Sequence, residues 1–143
     1  MVETLRYLLD TNTISEWAKR VPDPLVVRNL HRHLPSCAIS APTLEEMQFG
    51  CARLPAGQRR MLIQEFINGV VFRVPVLPFD GQAAVWLAWE RARLAAVGRV
   101  MPRTDGAIAA VAAVHGLVLV TRNLKDFEGY DALRTEDWFS SSH

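Results

Sequence analysis

Short apolar runs alternate with longer stretches of helical spacing, and this alternation limits the folds open to the chain more than anything else in it. Residues 5–9, 37–39, 70–76 and 117–120 read as buried strands, the third rich in β-branched residues, and a last short strand falls near 132–135. Helical spacing occupies about 15–19, 24–33, 42–54, 57–67 and 80–97, then a stretch from Thr104 or Asp105 to Gly116. Pro24 and Pro42 suit first turns, Thr104 or Asp105 suits a cap, and Gly98 and Gly116 suit stops. Strands alternating with helices predict an α/β fold, with a central parallel sheet flanked by helices on both faces. No linker or repeat divides the chain, so one domain is expected over 1–139, with 140–143 as a disordered tail.

Composition narrows the function classes. Half of the 143 residues are hydrophobic and mean hydropathy is +0.07, so some apolar surface is expected to meet a partner. Net charge is only +1, so bulk electrostatics give no sign of a polyanion ligand. The basic residues are nearly all arginine, Lys19 and Lys125 being the only lysines. Arginine suits bidentate phosphate contacts, although a GC-rich coding bias accounts for it equally well. Cys37 and Cys51 form no CxxC pair and read as buried thiols. Asp10 interrupts the first apolar run, which argues against a signal peptide. The longest apolar stretch, 107–114, is too short to span a bilayer, and a soluble cytoplasmic protein is expected.

In a parallel sheet of this kind the chemistry lies at the carboxyl ends of the strands. Asp10 follows the first strand and Asp126 lies a few residues past the strand at 117–120. Glu46 stands about one turn into the helix after the second strand, and Asp105 at the amino end of a helix. Each alone has a plainer role, as a helix cap, a solvated helix residue or a turn residue. Together they can converge on one edge. Four carboxylates in one pocket repel one another and call for a cation. Oxygen ligands select Mg²⁺ or Mn²⁺, which can activate water and orient a phosphodiester. No convincing Ser/His/Asp or Cys/His set competes.

The residues around these acids resemble the motifs of PIN-domain ribonucleases. Tyr7-Leu8-Leu9-Asp10-Thr11-Asn12, with Ser15-Glu16, resembles the first motif, and Ile39-Ser40 followed by Thr43-Leu44-Glu45-Glu46-Met47-Gln48-Phe49-Gly50 the second. Asp105-Gly106-Ala107-Ile108-Ala109-Ala110 resembles the third and Thr121-Arg122-Asn123-Leu124-Lys125-Asp126-Phe127 the fourth. The acid four residues before Gly50 selects Glu46 over Glu45. All four motifs occur in order over almost the whole chain, most like the VapC- and FitB-type toxins of bacterial toxin–antitoxin modules. The resemblance implies a Mg²⁺- or Mn²⁺-dependent endoribonuclease, a homodimer, and a cognate antitoxin that blocks the acidic pocket. It also implies that Asp10, Glu46, Asp105 and Asp126 hold metal, with Asn12, Thr121 and Asn123 supporting them. Arg122, Arg103 and Lys125 then flank the site as RNA contacts. Two departures stand out: Gly106 where the family often has alanine, which weakens the helix start, and Asn123 where many members carry an acid.

Other features read more plainly. His31 and His33 lack a third ligand and suit a solvated helix, and His115 suits a cap or the core. Trp86 and Trp89 suit core packing by default, with a partner face as second choice. Two other functions compete. A phosphohydrolase with Asp10 as nucleophile usually wants an acid at position 12, which is Asn12. A receiver-like switch wants paired acids near the amino terminus, where only Glu3 precedes Asp10. A PIN fold that binds a partner without catalysis is the third alternative.

Overall fold

The structure, a computed structural model, describes residues 4–140. Five parallel strands form one sheet: β1 (Tyr7–Leu9), β2 (Cys37–Ser40), β3 (Val76–Leu77), β4 (Val118–Val120) and β5 (Arg134–Glu136), in the order β3-β2-β1-β4-β5. Among the described residues six α-helices connect or flank them: α1 (Thr11–Ser15), α2 (Pro24–His33), α3 (Ala41–Ala52), α4 (Gln58–Arg73), α5 (Gly81–Ala96) and α6 (Arg103–Val114). Alternation along β1 fixes the layers, because successive side chains point to opposite faces. Tyr7 and Leu9 pack with Ile14, Leu30, Met47, Ile67 and Val70, from α1 to α4. Leu8 packs on the other face with Leu87, Leu94, Ile108 and Val111, from α5 and α6. The expected fold class is therefore found, with helices on both faces.

The chain moves outward from β1 to β2 and β3, then returns to place β4 on the other flank of β1. The crevice between β1 and β4 is thus the point where strand order reverses, the place where such sheets bind ligands.

Several boundaries differ from the sequence reading. Residues 70–73 continue α4 instead of opening a strand; the strand is Val76–Leu77 and shares only Val76 with the expected range. Ile67, Val70 and Val74 are buried at intervals of three and four, and Val74 N–H bonds the Val70 carbonyl at 2.9 Å. Helical burial here overrides the β-preference of branched residues. The first helix starts at Thr11, not Ser15, because Asp10 caps it, and 16–18 tighten into a 3₁₀ turn. Neither Thr104 nor Asp105 caps α6: Pro102 precedes it, and Gly106 N–H already bonds the Pro102 carbonyl at 3.0 Å. Ser140, expected to begin a disordered tail, donates to Asp23 from its N–H at 3.0 Å and its hydroxyl at 2.7 Å. Residues 141–143 lie outside the described residues.

Trp86 is half-buried against the Tyr130 ring, whereas Trp89 is 74% exposed and corrects the expectation of core packing. The buried face of α5 runs through Ala83, Leu87, Glu90 and Leu94, which turns Val85 and Trp89 to solvent. Phe49, Met61, Phe72, Val97 and Val100 are also exposed, as the excess of apolar residues implied. Cys37 and Cys51 are buried free thiols. His115 donates from Nδ1–H to the Val111 carbonyl, 2.9 Å away, at the end of α6. Among the described residues no helix is long and apolar enough to cross a membrane.

Candidate active site

Asp10 is fixed by the sheet and by the helix it starts. Its N–H extends the β1–β4 ladder to the Val120 carbonyl at 3.0 Å, and its Oδ1 accepts from Thr13 N–H at 3.0 Å. The side chain is 6% exposed, and burial pushes its carboxyl above the ordinary 3.8. The Thr121 hydroxyl and the Thr13 N–H and hydroxyl oppose that rise, while the charge of Glu46 adds to it. Thr121 is fully buried at the end of β4, and its Oγ1 accepts from Asn123 N–H at 3.0 Å.

The other acids arrive on three separate elements. Glu46 projects from α3, exposed, and its Oε1 accepts from the Thr11 hydroxyl at 2.5 Å. Asp105 lies in the first turn of α6, where the helix dipole favours a carboxylate. Burial nevertheless raises its carboxyl above 3.8, and the charges of Asp126, Glu46 and Asp10 raise it further. Asp126 is exposed in the 3₁₀ turn Leu124–Asp126 after β4. Asp105 therefore feels the charge of the other three expected acids, and Asp10 that of Glu46. Glu45, the alternative to Glu46, lines a neighbouring cavity instead.

No lysine or arginine pairs with any of the four among the described residues. Nor do any three His, Cys, Asp or Glu side chains among them stand close enough to form a ready-made metal cage. A hard divalent cation does not require one. Mg²⁺ keeps several waters and binds through one or two carboxylates. An all-oxygen set of mutually repelling carboxylates, without a cation from the chain, is the donor chemistry that fits such an ion.

The supporting residues divide. The Thr121 hydroxyl favours the charged form of Asp10, and Asn123 acts through its backbone N–H, which donates to Thr121 Oγ1. Asn12 is exposed, and its side chain makes no hydrogen bond among the described residues. Arg122 stacks over the Phe139 ring, 4.7 Å from its centroid, and is committed there. Lys125 stands exposed beside Asp126, and Arg103 opens α6 two residues before Asp105.

Two residues escape the sequence reading. Thr11, which holds Glu46, stands next to Asp10 in the first motif, and only the distance to α3 shows its role. Tyr130 is 5% exposed, and its hydroxyl is buried without a hydrogen-bond partner. Burial raises its pKa, and the charge of Asp105 adds to the rise. The signal for Tyr130 was Gly106: a Cβ there would stand 3.1 Å from the Tyr130 hydroxyl and 2.9 Å from Leu87 Cδ1. The glycine makes room for the ring.

Comparison with known proteins agrees with this fold. The PIN-domain family model matches residues 7–133. The chain is 38% identical to a VapC ribonuclease, Y4jK, of Sinorhizobium fredii, over 85% of this chain and 89% of that protein. It is 36% identical to a tRNA(fMet)-specific endonuclease VapC of Salmonella typhimurium, over 94% of this chain and 98% of that protein. Among solved structures it resembles a DNA-bound VapBC from Salmonella typhimurium, with a TM-score of 0.81 and 33% identity over 94% of this chain and 99% of that one.

Proposed function

The chain belongs to the PIN-domain family, and on that footing we propose that it is the endoribonuclease toxin of a toxin–antitoxin pair, using Mg²⁺ or Mn²⁺ to hydrolyse RNA phosphodiester bonds. The observation that carries the reading is the buried Asp10 at the end of β1 together with Asp105 in the first turn of α6, neither paired with a lysine or arginine among the described residues. The charges of Asp126, Glu46 and Asp10 add to the burial that raises the Asp105 carboxyl, which supports a site drawn from four parts of the chain. Uncompensated charge of this kind costs stability and persists where function needs it.

In this reading Asp10 and Asp105 hold the cation, and Glu46 and Asp126 complete the acidic ring. A divalent ion bound there lowers the pKa of water and neutralises charge on a phosphodiester. The chain's own residues do the rest. The Thr13 N–H fixes the Asp10 carboxylate at Oδ1, and the Thr121 hydroxyl favours its charged form. Thr11 holds Glu46 by Oε1, leaving Oε2 to orient the attacking water and accept its proton. Arg103 and Lys125, on either side of the acids, hold RNA phosphates. A cognate antitoxin covers the acidic pocket, and a second copy of the chain covers part of the exposed apolar surface. The protein works in the cytoplasm.

The test is cleavage of total cellular RNA by purified protein free of partner, with Mg²⁺, with Mn²⁺, with a chelator, and with Asp105→Asn. Metal-dependent cutting that the variant loses is expected. No cutting by folded, partner-free protein would refute the nuclease and favour a PIN fold that only binds.

A further inference from the structure

Beside the acidic edge lies an open cavity of about 510 Å³ that none of the four acids lines. Its walls come from the starts of α3 and α6, the middle of α5, and Phe79 in the loop after β3. It abuts the acids through neighbours in sequence: Glu45 precedes Glu46, and Thr104 precedes Asp105. The volume falls within the range of small-molecule sites.

The lining is particular. Phe79, at 38% exposure, and Leu87 give an apolar floor with one accessible aromatic ring. Arg91 and Arg103 bring two guanidinium groups, and neither forms a salt bridge among the described residues. Glu45, the cavity's single acid, repels a second phosphate and can accept from the amino edge of a base. An aromatic face for stacking, arginines for phosphate and one acceptor for a base edge make a pocket for a single nucleotide.

We propose that this cavity is a nucleotide subsite of the RNA path, taking the nucleotide next to the scissile phosphate, with Phe79 under its base and Arg91 and Arg103 on its phosphate. The subsite rests on the nuclease reading above. It deepens that reading by assigning Phe79 and Arg91, which no motif marks, to substrate selection. The acids cut, and the cavity decides which nucleotide stands beside the cut.

The experiment measures binding of a short labelled single-stranded RNA in chelator, together with the map of cleavage sites in Mg²⁺. Phe79→Ala is expected to weaken binding about tenfold, within the range of a lost base stack, and to shift the preferred sites. Arg91→Ala is expected to weaken binding and to flatten the slope of log affinity against log salt by about 0.7, the value for one phosphate on a single strand. Phe72→Ala, an exposed ring on α4 across the sheet, should change neither readout. Wild-type protein that cuts RNA while Phe79→Ala and Arg91→Ala bind and cut unchanged overturns the subsite and leaves the nuclease standing. Weakened binding accompanied by a changed oligomeric state in gel filtration also overturns it, because the cavity then belongs to an interface between copies. Wild-type protein that binds the RNA through Phe79 and Arg91 yet never cuts it supports the subsite and refutes the nuclease. Wild-type protein that binds no RNA overturns both.

Discussion

Replacing Gly106 by alanine sets two opposed effects against each other on the helix that carries Asp105. Removing a glycine from a helix gains about 1 kcal/mol where the new methyl is free. Here it is not free. The Cβ would stand 2.9 Å from Leu87 Cδ1 and 3.1 Å from the Tyr130 hydroxyl, and both neighbours are core residues, at 8% and 5% exposure. Overpacking a full core costs about 1–3 kcal/mol. The Leu87 methyl can rotate away, but the Tyr130 ring is rigid and backed by Trp86, with ring centroids 5.9 Å apart. The net expectation is destabilisation of about 1 kcal/mol, roughly 3–5 °C in Tm for a domain of this length. Tyr130→Phe removes the hydroxyl that the alanine would meet. Because that hydroxyl has no partner, its loss should be neutral or stabilise by up to about 1 kcal/mol. In the Tyr130→Phe background Gly106→Ala should therefore approach neutrality, with a coupling of about 1 kcal/mol in favour of the double variant. Urea denaturation of the four proteins in chelator, with m unchanged, measures the cycle. A Gly106→Ala variant stabilised by the full helix gain, or a coupling of zero, would refute the claim that the glycine is a fitted contact.

Two further predictions concern the acids. Thr11→Val keeps the shape of the side chain but removes the hydroxyl that holds Glu46; cleavage should fall about 10–100-fold, the usual effect of losing a partner of a metal-site residue, with urea stability little changed. Unaltered kcat/KM would show that the Thr11 contact does not position Glu46. For pH, the folded state holds protons on Asp10 and Asp105 more tightly than the unfolded chain does, since both carboxyls are raised above 3.8. Their contribution to metal-free stability is thus present at acid pH and lost as pH rises through the carboxyl range. Asp105→Asn removes one such group, so its stability relative to wild type in chelator should grow between pH 4 and pH 7; a constant difference would contradict the assigned direction.

The order of strands and helices was legible because each of three buried strands ends at a polar residue that anchors the next turn of chain. Asp10 and Ser40 accept from N–H groups three residues on, and Thr121 from one two residues on. Pro24 and Asp80 marked their helices for equally local reasons, a fixed φ at a first turn and a side chain accepting from Ala83 N–H at 3.1 Å. The misreading of residues 70–73 has a different origin. Val70, Val71 and Val74 fit a strand and one face of a helix about equally, and only the presence of Ile67 and the core beneath them decides. The reading of Trp89 failed likewise, since α5 is apolar nearly all round and its orientation is set by the surface it packs on.

The site was legible to a different depth. The four acids stand in ordered motifs, and the sheet's parallel topology is enough to gather them. The motifs do not encode which contacts hold them, because those contacts join residues distant in sequence. Thr11 reaches Glu46 across 35 positions. Tyr130 reaches Gly106 through packing that no local pattern reports. Gly106, which reads by propensity as a weakened helix start, is better understood as the space a second residue fills. A departure from a motif can thus mark a neighbour that motif reading alone does not reveal. Here it leads from a glycine beside Asp105 to a buried tyrosine hydroxyl whose pKa responds to Asp105's charge.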